Sequence, residues 1–101
     1  MLYMENLRFE KVQSQNGGFI SAFNQNNEEI GKLTYTIQPE KSILIISYVM
    51  VFPKHEGNGY GQMLVAEAIS FARENNWKIY PHCSFSRSVL VNMKDVSDVY
   101  P

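Results

Sequence analysis

The chain has 101 residues, 45% of them hydrophobic and 19% charged, with a formal net charge of −1 and a single cysteine. That length fits one domain with one packed core, and the scattered, nearly balanced charge lacks the basic patch of a nucleic-acid binder. One cysteine excludes an internal disulfide and any zinc site built on several thiolates, so no metal is expected. No apolar run approaches the roughly 20 residues that cross a bilayer, and "MLYMENLRFE" has no secretory signal pattern, so a cytoplasmic protein with no membrane partner is expected.

Residues 7–12, "LRFEKV", alternate apolar and polar in the manner of a half-buried strand, and Gly17-Gly18 predict the turn that follows. Residues 19–23, "FISAF", form a second candidate strand. The polar "NQNNEE" separates it from "IGKLTYTIQ", whose β-branched and aromatic residues supply a hairpin partner. After a break over residues 39–42 comes "ILIISYVMVF", a continuous apolar run over residues 43–52 that predicts a central strand buried on both faces. Pro53 closes it, because proline cannot donate to a sheet ladder.

From Tyr60 the apolar positions 60, 64, 68, 71 and 72 follow the 3.6-residue period, and Asn75-Asn76 supply a left-handed stop. "WKIYPHC", residues 77–83, reads as a strand, "SFSRSVLVNM" as a shorter helix, and "KDVSDVYP" as a tail. The strand from Ile43, the helix from Tyr60 and the strand from Trp77 make a βαβ unit whose two strands should run parallel. The expected fold class is α+β, a mixed and mostly antiparallel sheet with one long helix packed on it and a short C-terminal helix. No repeat or linker divides residues 1–101, so a single domain is expected.

The segment "PKHEGNGYGQ" places three of the six glycines, Gly57, Gly59 and Gly61, at alternate positions between a strand and a helix. A helix N-terminus presents backbone N–H groups without intrahelical partners, and its macrodipole adds about half a positive charge there. Phosphate is the usual ligand of such a site. Alternating glycines allow positive φ and let a diphosphate come close without a Cβ in the way. The P-loop pattern fails, because Gln62 follows Gly61 where a lysine is needed, and G-x-G-x-G is not the dinucleotide fingerprint G-x-G-x-x-G. A tight strand-to-helix connection with no ligand is the other reading of these glycines.

With these motifs in hand, the sequence resembles the GNAT superfamily of acyl-CoA-dependent N-acetyltransferases. Glu56, Gly57, Asn58, Gly59, Tyr60 and Gly61 occupy the positions of its [R/Q]-x-x-G-x-[G/A] loop, with Glu56 standing where the pattern has Arg or Gln. "GNGYG", "ARENN" and "PHCSF" occur in the order found in a very small GNAT-like subfamily. The resemblance implies a sheet splayed between the strand ending near Val51 and the strand ending near Cys83, with acetyl-CoA lying in the splay as cosubstrate. It implies that the backbone at Val49, Met50 and Val51 pairs with the pantetheine amides. It further implies that the N–H groups from Gly57 through Asn58, Gly59, Tyr60 and Gly61 to Gln62 hold the pyrophosphate, and that Ser84 and Phe85 line the pocket. A histidine that the subfamily often carries in the fourth strand is Tyr48 in this chain.

Two routes of acetyl transfer to an amine acceptor then compete. In direct transfer a base removes the amine proton, and His82, Glu56, Tyr48 and His55 are the candidates. In covalent transfer Cys83 takes the acetyl group first, with Arg87 as an electrostatic helper. His82 adjoins Cys83, but neighbouring side chains on a strand point to opposite faces. The alternative readings are an acyl-CoA-binding module without transferase activity and a structural partner-binding domain. Cys83 as a small buried hydrophobe and Tyr100 as a solvated tail residue are the plainer readings of those two positions.

Overall fold

A computed structural model of the chain describes residues 6–101. Five strands, β1 (Arg8–Ser14), β2 (Gly17–Phe23), β3 (Glu29–Gln38), β4 (Ile43–Val51) and β5 (Lys78–Pro81), accompany two helices, α1 (Tyr60–Glu74) and α2 (Ser84–Asn92). The sheet keeps the order β1-β2-β3-β4-β5. Its first four strands are antiparallel, and β5 joins β4 in parallel. A parallel pair needs a long crossover, which α1 supplies. The architecture is α+β, as the sequence indicates.

Strand alternation sorts the side chains onto two unlike faces. One face carries Ile20, Leu33, Tyr35, Ile37, Leu44, Ile46 and Ile79, all buried in one cluster with Leu64, Val65, Ala68, Phe71 and Ala72 of α1. The five periodic positions 60, 64, 68, 71 and 72 are all buried. Tyr35, Phe71 and Trp77 meet edge to face at centroid distances of 5.5 and 5.4 Å, the arrangement that ring quadrupoles favour. Asn76 takes the left-handed conformation, φ 58°, just past the end of α1.

The expectation that β4 is buried on both faces is corrected. Leu44 and Ile46 are buried toward α1, whereas Tyr48 and Met50 are 54% and 39% exposed. Helix α2 packs on α1, β4 and β5, so the helices share one side and leave the other face open, as antiparallel sheets permit. In the register of β3 with β4, Tyr35 faces Ile46 and Thr34 faces Tyr48, which leaves Ser47 as a bulge. The extra residue shifts the alternation, so Val49 and Val51, opposite Leu33 and Gly31, lie on the helix side.

Two further expectations change. Gly17 and Gly18 belong to β2, and the turn falls at Gln15 and Asn16. A Cβ on Gly18 would come 1.9 Å from the carbonyl oxygen of Val12, so this strand glycine marks close backbone approach rather than a turn. Tyr100 is not a solvated tail residue but packs against the core, in a tail that is docked: Val96 and Val99 are buried, the Ile79 N–H donates to the Val99 carbonyl at 2.7 Å, and Arg73 pairs with Asp98 at 2.8 Å. Among the described residues no helix is long and apolar enough to cross a membrane.

Candidate active site

Beyond Val51 the chain makes one 3-10 turn, Pro53–His55, and then the glycine loop. Lys54 of this turn pairs with Glu28 at 3.0 Å, tying the loop to the β2–β3 connection. Hydrogen bonding from Asn24, and then the ion pair with Lys54, hold the Glu28 carboxyl below its usual range. The Asn58 side-chain amide donates to the His55 carbonyl at 3.1 Å, which turns Asn58 back onto its own loop.

Gly57 and Gly59 have φ of 85° and 79°, a region that costs other L-residues roughly 1–2 kcal/mol. Gly59 is the N-cap of α1 with no side-chain cap, and the first ladder bond runs from the Met63 N–H to the Gly59 carbonyl at 3.2 Å. The N–H groups of Gly61 and Gln62 precede that bond and so have no intrahelical carbonyl to bond. Nothing lies within 4 Å of the place a Cβ on Gly57 would take. The loop is therefore unobstructed on that side of Gly57.

This loop walls a cleft of about 540 Å³ lined by Val49, Val51, His55, Glu56, Gly57, Gly59, Tyr60, Gly61, Gln62 and Phe85. Val49 and Val51 reach it through the bulge at Ser47. Parallel pairing of β4 with β5 ends at Ile46 and Pro81, and the last rung is the His82 N–H donating to Ile46 O at 2.9 Å. From Ser47 onward the β4 edge on that side has no strand partner among the described residues. A splay with a free edge, an apolar wall and a helix N-terminus at its end suits a long anionic ligand with amide groups.

Gly61 has a different role from the other two glycines. It is buried within α1, and a Cβ there would come 2.7 Å from Cζ of Phe85. The ring of Phe85, 44% exposed, forms a wall shared with a smaller groove lined by Gln62, Ser88, Val89, Asn92 and Met93.

The remaining residues named from the sequence are dispersed. Met50 and Tyr48 point to the open sheet face, and Asn58 and Ser84 do not line the cleft. Cys83 is half-buried against the core and is the N-cap of α2, away from the cleft lining. Its thiol donates to Ser86 Oγ at 3.0 Å and accepts from the Ser86 N–H at 3.4 Å, while Ser86 Oγ donates back to the Cys83 carbonyl. Arg87 reaches the Pro81 carbonyl at 3.4 Å rather than the thiol. His82 is exposed, with its ring 6.3 Å from that of Tyr80. Tyr100 packs against the core. Buried Ser86 was not singled out by the sequence reading, although Cys-x-x-Ser at a helix start has capping spacing.

With this geometry in hand, comparisons with known proteins become informative. The family model for GCN5-related N-acetyl-transferases matches residues 18–99. A solution structure from Staphylococcus aureus, provisionally assigned as a GCN5-like N-acetyltransferase, is 28% identical with a TM-score of 0.65, over 89% of this chain and 85% of that one. A provisionally assigned streptothricin acetyltransferase from Bacillus anthracis, solved in complex with acetyl coenzyme A, is 22% identical with a TM-score of 0.62. Nourseothricin acetyltransferase is 16% identical with a TM-score of 0.58. The alignments cover 77% and 78% of this chain but only 49% and 60% of those two proteins, and at such identities they show the fold alone. No curated protein sequence matches significantly.

Proposed function

Because the chain belongs to the GCN5-related N-acetyltransferase family, we propose that it acts as a single acyl-CoA-binding domain that transfers an acetyl group from acetyl-CoA to an amine. The observation that carries this reading is the left-handed glycine loop opening the N-terminus of α1 into a cleft beside the free edge of β4. The acetyl-CoA complex of the Bacillus anthracis neighbour adds support for the cosubstrate.

When bound, acetyl-CoA supplies an acyl group already activated as a thioester. The N–H groups of Gly61 and Gln62, with the helix dipole behind them, would hold its diphosphate, and Gly57 and Gly59 keep side chains out of that space. The free backbone edge over residues 47–51 would pair with the pantetheine amides, against Val49, Val51 and Phe85. In the transfer the acceptor nitrogen would form the new C–N bond as the C–S bond breaks, with CoA leaving as thiolate. Of the candidate bases, His82, whose backbone N–H makes the last rung before the splay, would take the amine proton. Orientation of the two reactants on rigid strands supplies much of the rate in such a site. The Cys83 thiol is engaged by Ser86 and lies off the cleft, which favours direct over covalent transfer.

Release of CoA thiol, followed with acetyl-CoA and a panel of amines and peptides, tests the reading. Amine-dependent release with an acetylated product is expected, and release that no amine raises above hydrolysis would overturn it. Glu56 lines the cleft, a carboxylate where the family pattern has Arg or Gln, and this favours a second reading as a binding module, for which acetyl-CoA binds but no amine promotes release.

A further inference from the structure

Asparagine followed by glycine readily loses its side-chain amide, because glycine has no Cβ to shield its backbone nitrogen from the neighbouring side chain. The chain holds two such pairs, Asn16-Gly17 and Asn58-Gly59. The fold treats them oppositely.

Gly17 is buried in β2, opposite Ser14 on one side and Thr36 on the other. A Cβ there would come 2.4 Å from the Tyr35 carbonyl oxygen, and the Asn16 carbonyl accepts the Ile37 N–H at 2.9 Å. Reaction at Asn16 therefore requires the sheet edge to open first.

Asn58 and Gly59 are both exposed. Among the described residues Gly59 donates no backbone hydrogen bond. The nearest atom to a Cβ on Gly59 would be Gln62 Oε1 at 3.9 Å, and nothing lies within 4 Å of one on Gly57. The Asn58 side chain is held through its nitrogen, by the exposed 3.1 Å bond to the His55 carbonyl, which leaves its own carbonyl unengaged among the described residues.

We propose that Asn58 is a site of spontaneous deamidation, and that the carboxylate formed there caps α1 in place of the diphosphate. The Gly59 nitrogen bonds to Cγ of Asn58 as the Cγ–Nδ2 bond breaks, and ammonia leaves carrying the Gly59 amide proton. Water then opens the cyclic imide to aspartate or isoaspartate.

The charge of the product redirects the side chain. A carboxylate has no proton to donate and is repelled by the His55 oxygen, so conversion breaks the bond that turns residue 58 back onto its own loop. Helix α1 has no side-chain cap, and Gly61 follows Asn58 by three residues, the spacing at which a capping oxygen meets a backbone N–H. The helix dipole draws the new charge toward the same N–H groups that would hold the diphosphate. The effect on acetyl-CoA, unlike the reaction itself, rests on the acetyltransferase reading. An empty loop loses its cradle with time, and a bound diphosphate protects it by ordering residues 57–62.

The test incubates the whole protein in mildly alkaline buffer, with and without saturating acetyl-CoA, and follows both asparagines by peptide mass mapping. Without ligand, Asn58 is expected to convert at least about tenfold faster than Asn16, whose site must open first. Acetyl-CoA should slow Asn58 alone. Asn58→Asp, made directly, should melt above wild type because α1 gains a cap, and should bind acetyl-CoA about tenfold more weakly at low salt, with the deficit shrinking in high salt. Asn58→Gln should abolish the loss of acetyl-CoA affinity on incubation. Equal conversion of the two asparagines, or an Asn58→Asp protein that binds acetyl-CoA as wild type does, would overturn the proposal. If acetyl-CoA binds neither protein while Asn58 still outpaces Asn16 and Asn58→Asp still melts higher, the modification and its cap are supported and the acetyltransferase reading alone fails.

Discussion

The ring of Phe85 occupies the space that a side chain on Gly61 would need, with Cζ only 2.7 Å from the position of a Cβ. Through this contact α2 is brought against the first turn of α1, and one aromatic ring becomes the wall of the cleft. Of the three alternating glycines, two shape the loop by their φ angles and the third admits a neighbour.

Gly61→Ala separates those roles. Alanine is favoured over glycine within a helix by about 1 kcal/mol, and Phe85 is a surface side chain whose far end can swing away, so global stability should change by less than about 1 kcal/mol. Displacing the ring disturbs the cleft, and acetyl-CoA affinity should fall several-fold by calorimetry. In a Phe85→Ala background the same change should have little further effect, which is the signature of direct contact.

Gly59→Ala acts on the backbone instead. A φ of 79° at the N-cap costs alanine roughly 1–2 kcal/mol, a loss that chemical denaturation would read. Gly59→Asn should cost less, since asparagine tolerates the left-handed region.

Tyr35 offers a test of the core. It is 2% exposed, and its hydroxyl has no hydrogen-bond partner among the described residues. Burial raises its pKa above the ordinary 10.0. Tyr35→Phe removes an unsatisfied polar group and should stabilise the fold by about 1 kcal/mol. Because a raised folded-state pKa stabilises only below the unfolded pKa and is lost as pH climbs, wild type should weaken above pH 10 more steeply than the variant.

The Arg73–Asp98 pair should make docking of the tail sensitive to acid. Hydrogen bonding from Arg73 lowers the Asp98 pKa from its ordinary 3.8. A depressed folded-state pKa contributes stability above the unfolded value and loses it as pH falls through the folded one. Asp98→Asn should therefore melt below wild type at neutral pH, and the gap should close below about pH 4. Both groups are exposed, so the effect should also shrink in high salt.

The sequence made the order of elements legible because strand alternation and helical period are strong local signals, and each periodic position of α1 is indeed buried. It misread β4, since a run such as "ILIISYVMV" looks uniformly apolar, whereas the bulge at Ser47 and the bare second face are set by partner strands. The glycine loop was legible from its spacing as a left-handed turn that opens α1. The separate role of Gly61 was not, because Phe85 lies 24 positions away in the chain and meets it only through the packing of α2 on α1. Likewise, nothing local shows that the Cys83 thiol bonds to Ser86 rather than facing the cleft.

The central claim is that the loop before α1 cradles the diphosphate of acetyl-CoA. Titration of acetyl-CoA into the labelled protein, followed by amide NMR, tests it most directly. The account predicts the largest saturable shifts at Gly57, Gly59, Gly61 and Gln62, with further shifts along residues 47–51. If those amides stay unperturbed at millimolar acetyl-CoA, the claim is contradicted.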